Sequence, residues 1–479
     1  MNYALPNEVK NILNKFQKAG FQIYIVGGAV RDLLMNRKVS DWDFTTDAKP
    51  EEILALFPEG FYDNKFGTVG IPSTWKESKP CPSGRRATFQ VSTINTSDGG
   101  RAISEDSSEV DVFEITTMRK EGKYGDFRHP EQVVWTDKIE EDLARRDFTI
   151  NAIALSEVEG LIDPFNGQND IKNKIIRAVG DPETRFQEDA LRLMRAIRIA
   201  TELEFDIEKD TFMAIKKNAH FIKEIAWERI RDELFKLLAS MYPYIGIVKL
   251  REAGILQIIL PELEACFGIV QEGPKHDRVY DIGEHSLLTL KLCPSKNPLV
   301  RLAALLHDIG KPDTHKITPD GNVTFYHHDV VGGKIVQQIA KRFNLAKKQT
   351  DKLCKLVRWH LFTVDEHQTD SAIRRFIKNV GVENVDDMMD VRIGDRLGGG
   401  TATAVSWRME KYKERIKEVL KKPFSLSDLK INGRDIMKTL NIKSGPKVGE
   451  ILTKLFDEVL KDSSKNNKEY LLQKIKLMS

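Results

Sequence analysis

Asp41 and Asp43 stand two apart in VSDWDF, residues 39–44. On a β-strand that spacing turns both carboxylates to one face, because strand side chains alternate with period two. Same-face carboxylates suit a two-metal phosphoryl-transfer site. One ion lowers the pKa of an attacking hydroxyl, and the other holds a triphosphate and neutralises the departing pyrophosphate. An isolated Asp-x-Asp is a common strand ending, so its company decides. Gly27-Gly28 close the preceding apolar run. Glycines let backbone N–H groups approach phosphate, and a helix beginning there offers its positive end. Glu114, in VDVFEITTMR, could supply a third carboxylate.

Two further motifs carry groups suited to a nucleotide. In EEDLARRDFTINAIA, residues 140–154, Arg145 and Arg146 can meet phosphate, while Asp147 can accept from ribose hydroxyls. Asn151 lies four residues beyond Asp147, on the same helical face. In EDALR, Asp189 and Arg192 are three apart, on one face of a predicted helix. Acceptors and donors side by side can pair with the Watson–Crick edge of a base, with Glu188 orienting the pair. The plainer alternatives are a solvated helix start and a structural i,i+3 ion pair.

A second constellation follows. His285 sits in EHSLLTL, His307-Asp308 in LLHDIGK, His327-His328 in FYHHDVVGG, His360 in RWHL and Asp395 in IGDRLGG, with His315 nearby. Imidazoles and carboxylates spread over successive helices are ligands for one or two divalent metals.

In order, these segments resemble the class II CCA-adding enzyme and poly(A) polymerase family. YIVGGAVRDLLMNRKVSDWDFTT is similar to its signature, EEDLARRDFTINAIA to its ribose-recognition motif, and residues 161–198 to its hinge and nucleotide-template motif. AWERIRDEL, residues 226–234, is similar to the helix motif that steadies the neck. The resemblance implies Asp41, Asp43 and Glu114 as catalytic carboxylates with Mg²⁺ on the two aspartates. It implies a nucleotide site of Gly27, Gly28, Arg31, Arg145, Arg146, Asp147, Asn151, Asp189, Arg192 and Arg195, supported by Glu188. The partners implied are CTP, ATP and tRNA lacking all or part of its 3′ CCA. GKYGDFRHPEQVVW resembles the flexible loop kept by enzymes that add the terminal A, which favours full CCA over CC-only addition. A-only addition and a poly(A) polymerase are the alternatives.

The histidine-rich segment resembles the HD phosphohydrolase superfamily through His285, His307, Asp308, His328 and Asp395. This implies metal-dependent phosphodiesterase, phosphatase or nucleotidase action with Mg²⁺ or a transition metal, and a second alternative in which that action is the main one. His360 is a weaker candidate ligand. Leu361 follows it where some relatives carry Asp, which leaves one metal or two open.

These residues need a scaffold. Hydrophobic spacing predicts a helix over 7–19, strands over 21–26, 39–44 and 66–71, and a strand over 110–119. Residues 73–110 are rich in Ser, Thr, Gly and charge and read as a mobile surface insertion. From about 137 the pattern is helical. The fold class expected is α+β: a nucleotidyltransferase head with a mixed sheet (1–155), a helical neck and template region (156–265), an HD-type helical domain (266–405) and a helical tail (406–479). Ser444-Gly445-Pro446 before a tail helix, with Lys443, Lys447 and Lys454 nearby, suits tRNA phosphates.

Bulk composition is compatible. The 479 residues are 41% hydrophobic and 30% charged, with a net charge of only +3, so nucleic-acid binding requires local clusters. Cys81, Cys266, Cys293 and Cys354 form no CxxC pair and read as reduced thiols. There is neither a signal-peptide apolar stretch nor a membrane-length apolar run, and the expected location is the cytoplasm. Monomer and homodimer are both open.

Overall fold

The computed structural model describes residues 4–62, 67–72, 101–103, 109–122, 133–270, 281–364, 368–400, 407–420 and 426–478. The chain forms two compact units, Met1–Leu237 with Lys249–Ile258, and Leu238–Val248 with Ile259–Ser479.

The first unit begins with α1 (Asn7–Lys18), which buries Val9, Ile12, Leu13 and Phe16 at helical spacing. In chain order there follow β1 (Ile23–Val26), α2 (Gly28–Leu34), β2 (Asp43–Thr46), α3 (Pro50–Leu56), β3 (Phe61–Tyr62), β4 (Thr68–Pro72), β5 (Arg101–Ile103), β6 (Glu109–Thr117), β7 (Arg119–Glu121), β8 (Val133–Trp135), α4 (Ile139–Ala144), β9 (Ala154–Ser156), β10 (Gly160–Ile162) and α5 (Gly167–Asn173). The main sheet runs β10-β9-β1-β2-β6-β4-β3, with β5 also paired to β6. It is mixed as expected: β2 and β6 are parallel and the other pairs antiparallel. Residues of α1, β1, α2, β2, α3, β4 and β6 share one core, including Phe16, Ile25, Phe44, Phe57, Val69, Ile71 and Ile115.

Beyond the sheet, α6 (Pro182–Glu188), α7 (Leu191–Leu203), α8 (Lys209–Asn218) and α9 (Trp227–Ala239) supply the helical part. Asp181 starts α6 by accepting from Thr184 N.

The structure alters four expectations. Strand β2 begins at Asp43, not Val39, because β1 stops at Val26, the register partner of Asp43. Asp41 therefore lies before the strand and is exposed. Residues 154–162 are not helical. They form a hairpin turned at Gly160 (φ +78°) that extends the sheet beyond residue 155. EDALR is not one helix, since α6 ends at Glu188 and Asp189 is extended (φ −141°, ψ 104°) before α7. The 73–110 segment lies largely outside the described residues, yet 101–103 and 109–110 are paired strands.

In the second unit, helix Ile282–Leu292 packs on Val385–Gly398, Pro298–Leu306 packs on both Lys347–Arg358 and Val385–Gly398, and His328–Arg342 packs on Lys347–Arg358. Val300, Leu302, Ala303, Leu305, Leu306, Val336, Ile339, Leu353, Leu356 and Met388 are buried among them. The tail helices Gly433–Leu440, Pro446–Lys461 and Lys468–Lys476 share a smaller core around Ile436, Leu455 and Leu471. No helix among the described residues is long and apolar enough to cross a membrane.

Gly167 shows how tightly α5 seats against the turn that carries Asn151. A Cβ there would lie 2.2 Å from Thr149 O. Gly167→Ala is expected to cost about 1–3 kcal/mol in chemical denaturation, with a parallel loss of nucleotide affinity as Asn151 shifts.

Candidate active sites

The first site forms where β1 ends. Gly27 has φ +71°, a conformation suited to glycine. A Cβ on it would stand 3.2 Å from both Asp43 Oδ2 and Arg146 Nη1, so the turn, the carboxylate and the guanidinium meet at one point. Asp43 and Glu114 are register partners on the parallel strands β2 and β6. Asp41 is two residues upstream, where Ser40 Oγ donates to it at 3.1 Å. Removal from water raises the Asp43 carboxyl to about 6, with Arg146 opposing and Asp41 reinforcing the rise. A carboxylate held out of water beside another gains from a divalent cation, so this donor set fits one.

Arg145 and Arg146 are built on Asp142, which is completely buried. Arg145 Nε donates to Asp142 Oδ1 at 2.9 Å, and Arg146 Nη2 to Oδ2 at 3.3 Å. Burial would raise the Asp142 carboxyl, but the two arginines hold it below the usual range. Asp142 was legible as the i−3 and i−4 neighbour of the arginines, yet the motif reading passed over it. Arg146 Nε is buried without a hydrogen-bond partner.

Asp147 takes four bonds. Oδ1 accepts from Phe148 N (2.9 Å) and Asn151 Nδ2 (3.1 Å), and Oδ2 from Arg195 Nε (2.9 Å) and Nη2 (2.7 Å). Against burial, Arg195 and Asn151 hold its carboxyl well below the usual range. Asn151 Oδ1 in turn accepts from Arg31 Nη1 at 3.0 Å. Arg31, Asn151, Asp147 and Arg195 thus form one connected chain, and a ribose hydroxyl would have to share an oxygen of Asp147 already bonded.

Asp189 and Arg192 are each held by other groups. Arg192 Nη1 donates to Glu188 Oε2 (2.6 Å) and Arg185 O (3.1 Å), and Nη2 to Arg145 O (3.1 Å). Glu188 therefore orients Arg192. Asp189 instead meets Leu191 N (3.1 Å) and Arg229 Nη2 (3.0 Å). Arg229 lies in AWERIRDEL, the segment similar to the family's neck-steadying helix motif, but that motif alone did not pair it with Asp189.

The second site is a buried cluster in the second unit. Ligand atoms of His285, His307 and Asp395 lie within 4.8 Å of one another, as do those of Asp308, His328 and His360. The groups meet at Asp308: His307 Nε2 is 3.2 Å from Oδ2, and His328 and His360 Nε2 are 3.2 and 3.6 Å from Oδ1. His360, the weaker candidate, is thus in the cluster, while His327 and His315 belong to neither group. Nδ1 of His307, His328 and His360 faces Ala304 O (2.8 Å), Phe325 O (2.8 Å) and Val357 O (2.7 Å). Those carbonyls need an N–H, which leaves Nε2 to the cluster. His328 Nε2 is consequently a buried nitrogen without a hydrogen-bond partner beside a carboxylate oxygen. Two facing lone pairs call for a cation. Despite burial, Asp308 and Asp395 push the His307 imidazole up to about 10. The donor set fits a divalent metal, which would take the place of that proton. Lys311 Nζ, 2.6 Å from Asp308 Oδ2, and Arg392 Nη1, 2.7 Å from Asp395 Oδ2, brace the two carboxylates.

A Cβ on Gly310 would lie 2.2 Å from His328 O and 2.5 Å from Gly332 N. Gly310→Ala must therefore push His328 away from Asp308. Calorimetric titration with Mn²⁺ or Ni²⁺ is expected to show about 10–100-fold weaker binding at this site.

The "Poly A polymerase head domain" family matches residues 23–95 and 77–177, and the "Probable RNA and SrmB- binding site of polymerase A" family matches 204–267. The "HD domain" family matches 280–391, and "tRNA nucleotidyltransferase domain 2" matches 336–475. The chain is 30% identical to the CCA-adding enzyme of Ligilactobacillus salivarius, over 98% of this chain and 97% of that protein. It is 32% identical to the A-adding tRNA nucleotidyltransferase of Deinococcus radiodurans, over 90% of each. The crystal structure of the Bacillus stearothermophilus CCA-adding enzyme in complex with CTP shares the fold, with a TM-score of 0.68 at 24% identity, covering 99% of this chain and 98% of that one. Full-length similarity at this level places the chain in the CCA-adding enzyme family of tRNA nucleotidyltransferases.

Proposed function

We propose that this protein adds CCA to the 3′ end of tRNA from CTP and ATP, without a nucleic-acid template, in the cytoplasm. The observation that carries the chemistry is the meeting of Asp43, Glu114, the Gly27 turn and the Arg146 guanidinium at one end of the sheet. Asp41 and Asp43, with Glu114 as third carboxylate, would hold Mg²⁺, which activates the attacking 3′-hydroxyl and neutralises the leaving pyrophosphate. Gly27, Gly28 and Arg146 cradle the triphosphate, with Arg145 bracing Asp142 beside it. Arg31, Asn151, Asp147 and Arg195 fix the wall against which ribose and base rest. Asp189 and Arg192, with Glu188, read the base. The segments 1–155, 156–265, 266–405 and 406–479 serve as head, neck, HD domain and tail, with the hairpin to residue 162 joined to the head. Exposed Lys443, Lys447 and Lys454 around the start of helix Pro446–Lys461 suit phosphate contacts with tRNA.

The second site supports metal-dependent phosphoester hydrolysis. His285, His307, Asp308, His328, His360 and Asp395 would hold one or two divalent ions, Mg²⁺ or a transition metal, which supply an activated water. The two ligand groups meeting at Asp308 favour two ions over one.

Transcripts ending before CCA decide the main reading. CTP alone should extend them by C, and ATP alone should extend only a transcript already ending in CC. Extension by A with no use of CTP would assign A-only addition, as named for the Deinococcus relative. Asp43→Asn should lower kcat for both nucleotides by about 10²–10³-fold and spare hydrolysis of a 2′,3′-cyclic nucleotide. Asp308→Asn should do the reverse.

A further inference from the structure

Helix α4 ends at Ala144, and Arg145 and Arg146 follow it directly. Its last turn carries Asp142, whose side chain is fully buried. The two oxygens of that carboxylate have different partners. Oδ1 accepts from Arg145 Nε at 2.9 Å and from the backbone N–H of Arg119 at 3.3 Å, and Arg145 Nη2 lies 2.8 Å away. Oδ2 is turned to Arg146, whose Nη2 donates at 3.3 Å. Arg146 Nη1 is the atom that stands against the Gly27 turn and Asp43.

Oδ1 is thus filled, which fixes the plane of the carboxylate, and that plane sets where Oδ2 points. Two neighbouring guanidinium groups repel each other, and a buried anion between them holds both through charge-assisted hydrogen bonds. The longer bond is the one to Arg146. An incoming phosphate can therefore draw on Arg146 while Arg145 keeps Asp142 in place.

The same helix holds a second element. Arg119 opens β7, which pairs with β8. Thr136, the residue after β8, donates through Oγ1 to Glu141 Oε2 at 2.8 Å and through its N–H to Met118 O at 3.1 Å. Consecutive acidic residues of α4 thus grip both sides of the β7–β8 stem, Asp142 at Arg119 and Glu141 at Thr136.

We propose that Asp142 is a positioning residue for the triphosphate: it aims Arg146 at the Gly27 turn and passes triphosphate binding on to the β7–β8 stem through the Arg119 amide. This role rests on the nucleotidyl-transfer reading above and adds a route by which the stem responds to an occupied site. Asp142 acts through Arg146 and needs no contact with the nucleotide. CTP and ATP share the triphosphate, so the grip on both changes alike and the choice of base does not.

The test uses the full-length protein with Mg²⁺ and inorganic tripolyphosphate as the probe. Calorimetry should show about 10–100-fold weaker binding in Asp142→Asn, as expected for loss of a hydrogen bond between charged groups. KM for CTP on transcripts ending before CCA, and for ATP on transcripts ending in CC, should rise by similar factors, while kcat falls less and the preference for CTP over UTP stays within about twofold. Hydrogen exchange reads the transmission. In wild type, saturating tripolyphosphate should slow exchange over 119–121 and 133–136 about threefold or more, and in saturated Asp142→Asn it should leave those amides unchanged. Circular dichroism melting checks folding. If Asp142→Asn lacks a native transition, Thr136→Val carries the comparison, because it cuts the other tie and leaves both arginines on Asp142. It should keep wild-type affinity for tripolyphosphate with less slowing over 133–136, and equal slowing there counts against the proposal. Unchanged affinity in folded Asp142→Asn, or a wild-type stem whose exchange ignores tripolyphosphate, would overturn the role while C and A addition persist. A wild-type protein that adds neither C nor A would overturn the nucleotidyl-transfer reading first, and this role with it.

Discussion

The carboxylate of Asp147 is bonded from four directions, and the geometry of the first unit follows from it. Its bonds to Phe148 N and Asn151 fix the turn between α4 and β9, and its bonds to Arg195 bring α7 against that turn. Asn151 extends the connection to Arg31 on α2, behind the Gly27 turn. On the other side Arg195 lies 3.8 Å from Glu233 on α9, and Glu233 also accepts from Arg198 at 2.6 Å. One buried anion thus relates the sheet end that carries Asp43 to α7 and α9, which carry Arg192 and Arg229. The Arg195 side chain is 36% exposed, so solvent screening lowers what breaking this pair would cost below the fully buried case. Here the greater consequence is loss of register between groups that must meet one nucleotide.

The two clusters use opposite devices. In the sheet, strand register sets one carboxylate beside another, Asp43 beside Glu114, and a glycine turn leaves room for an incoming phosphate. Among the helices of the second unit, backbone carbonyls three residues upstream of His307, His328 and His360 orient each ring. Turns at helix ends do there what pleating does in the head.

The sequence was most readable where function lies in a local pattern. Asp43 behind two glycines, the Arg145-Arg146-Asp147 run and the His307-Asp308 pair are recognisable because neighbours in the chain are neighbours in the site. Legibility failed where a distant bond overrides local preference. QEDALRLM contains no Gly or Pro, so an unbroken helix is the natural reading, yet Arg192 bonds back to Arg185 O and to Glu188 and so caps the end of α6. The strands of residues 154–162 are too short to show alternation, and Gly160 was their one local mark. AWERIRDEL marked the stretch that holds Arg229, but not its bond to Asp189 on another element. His360 carried a weak signal in its sequence context but shares Asp308 with His328 in space.

Pro72 and Val112 are register partners on β4 and β6, with residues 73–111 between them. Asp43 and Glu114 are fixed by sheet pairing on either side of this joint and not by the chain that spans it. A head built this way keeps its two carboxylates side by side for as long as β6 stays paired between β2 and β4, whatever peptide joins Pro72 to Arg101.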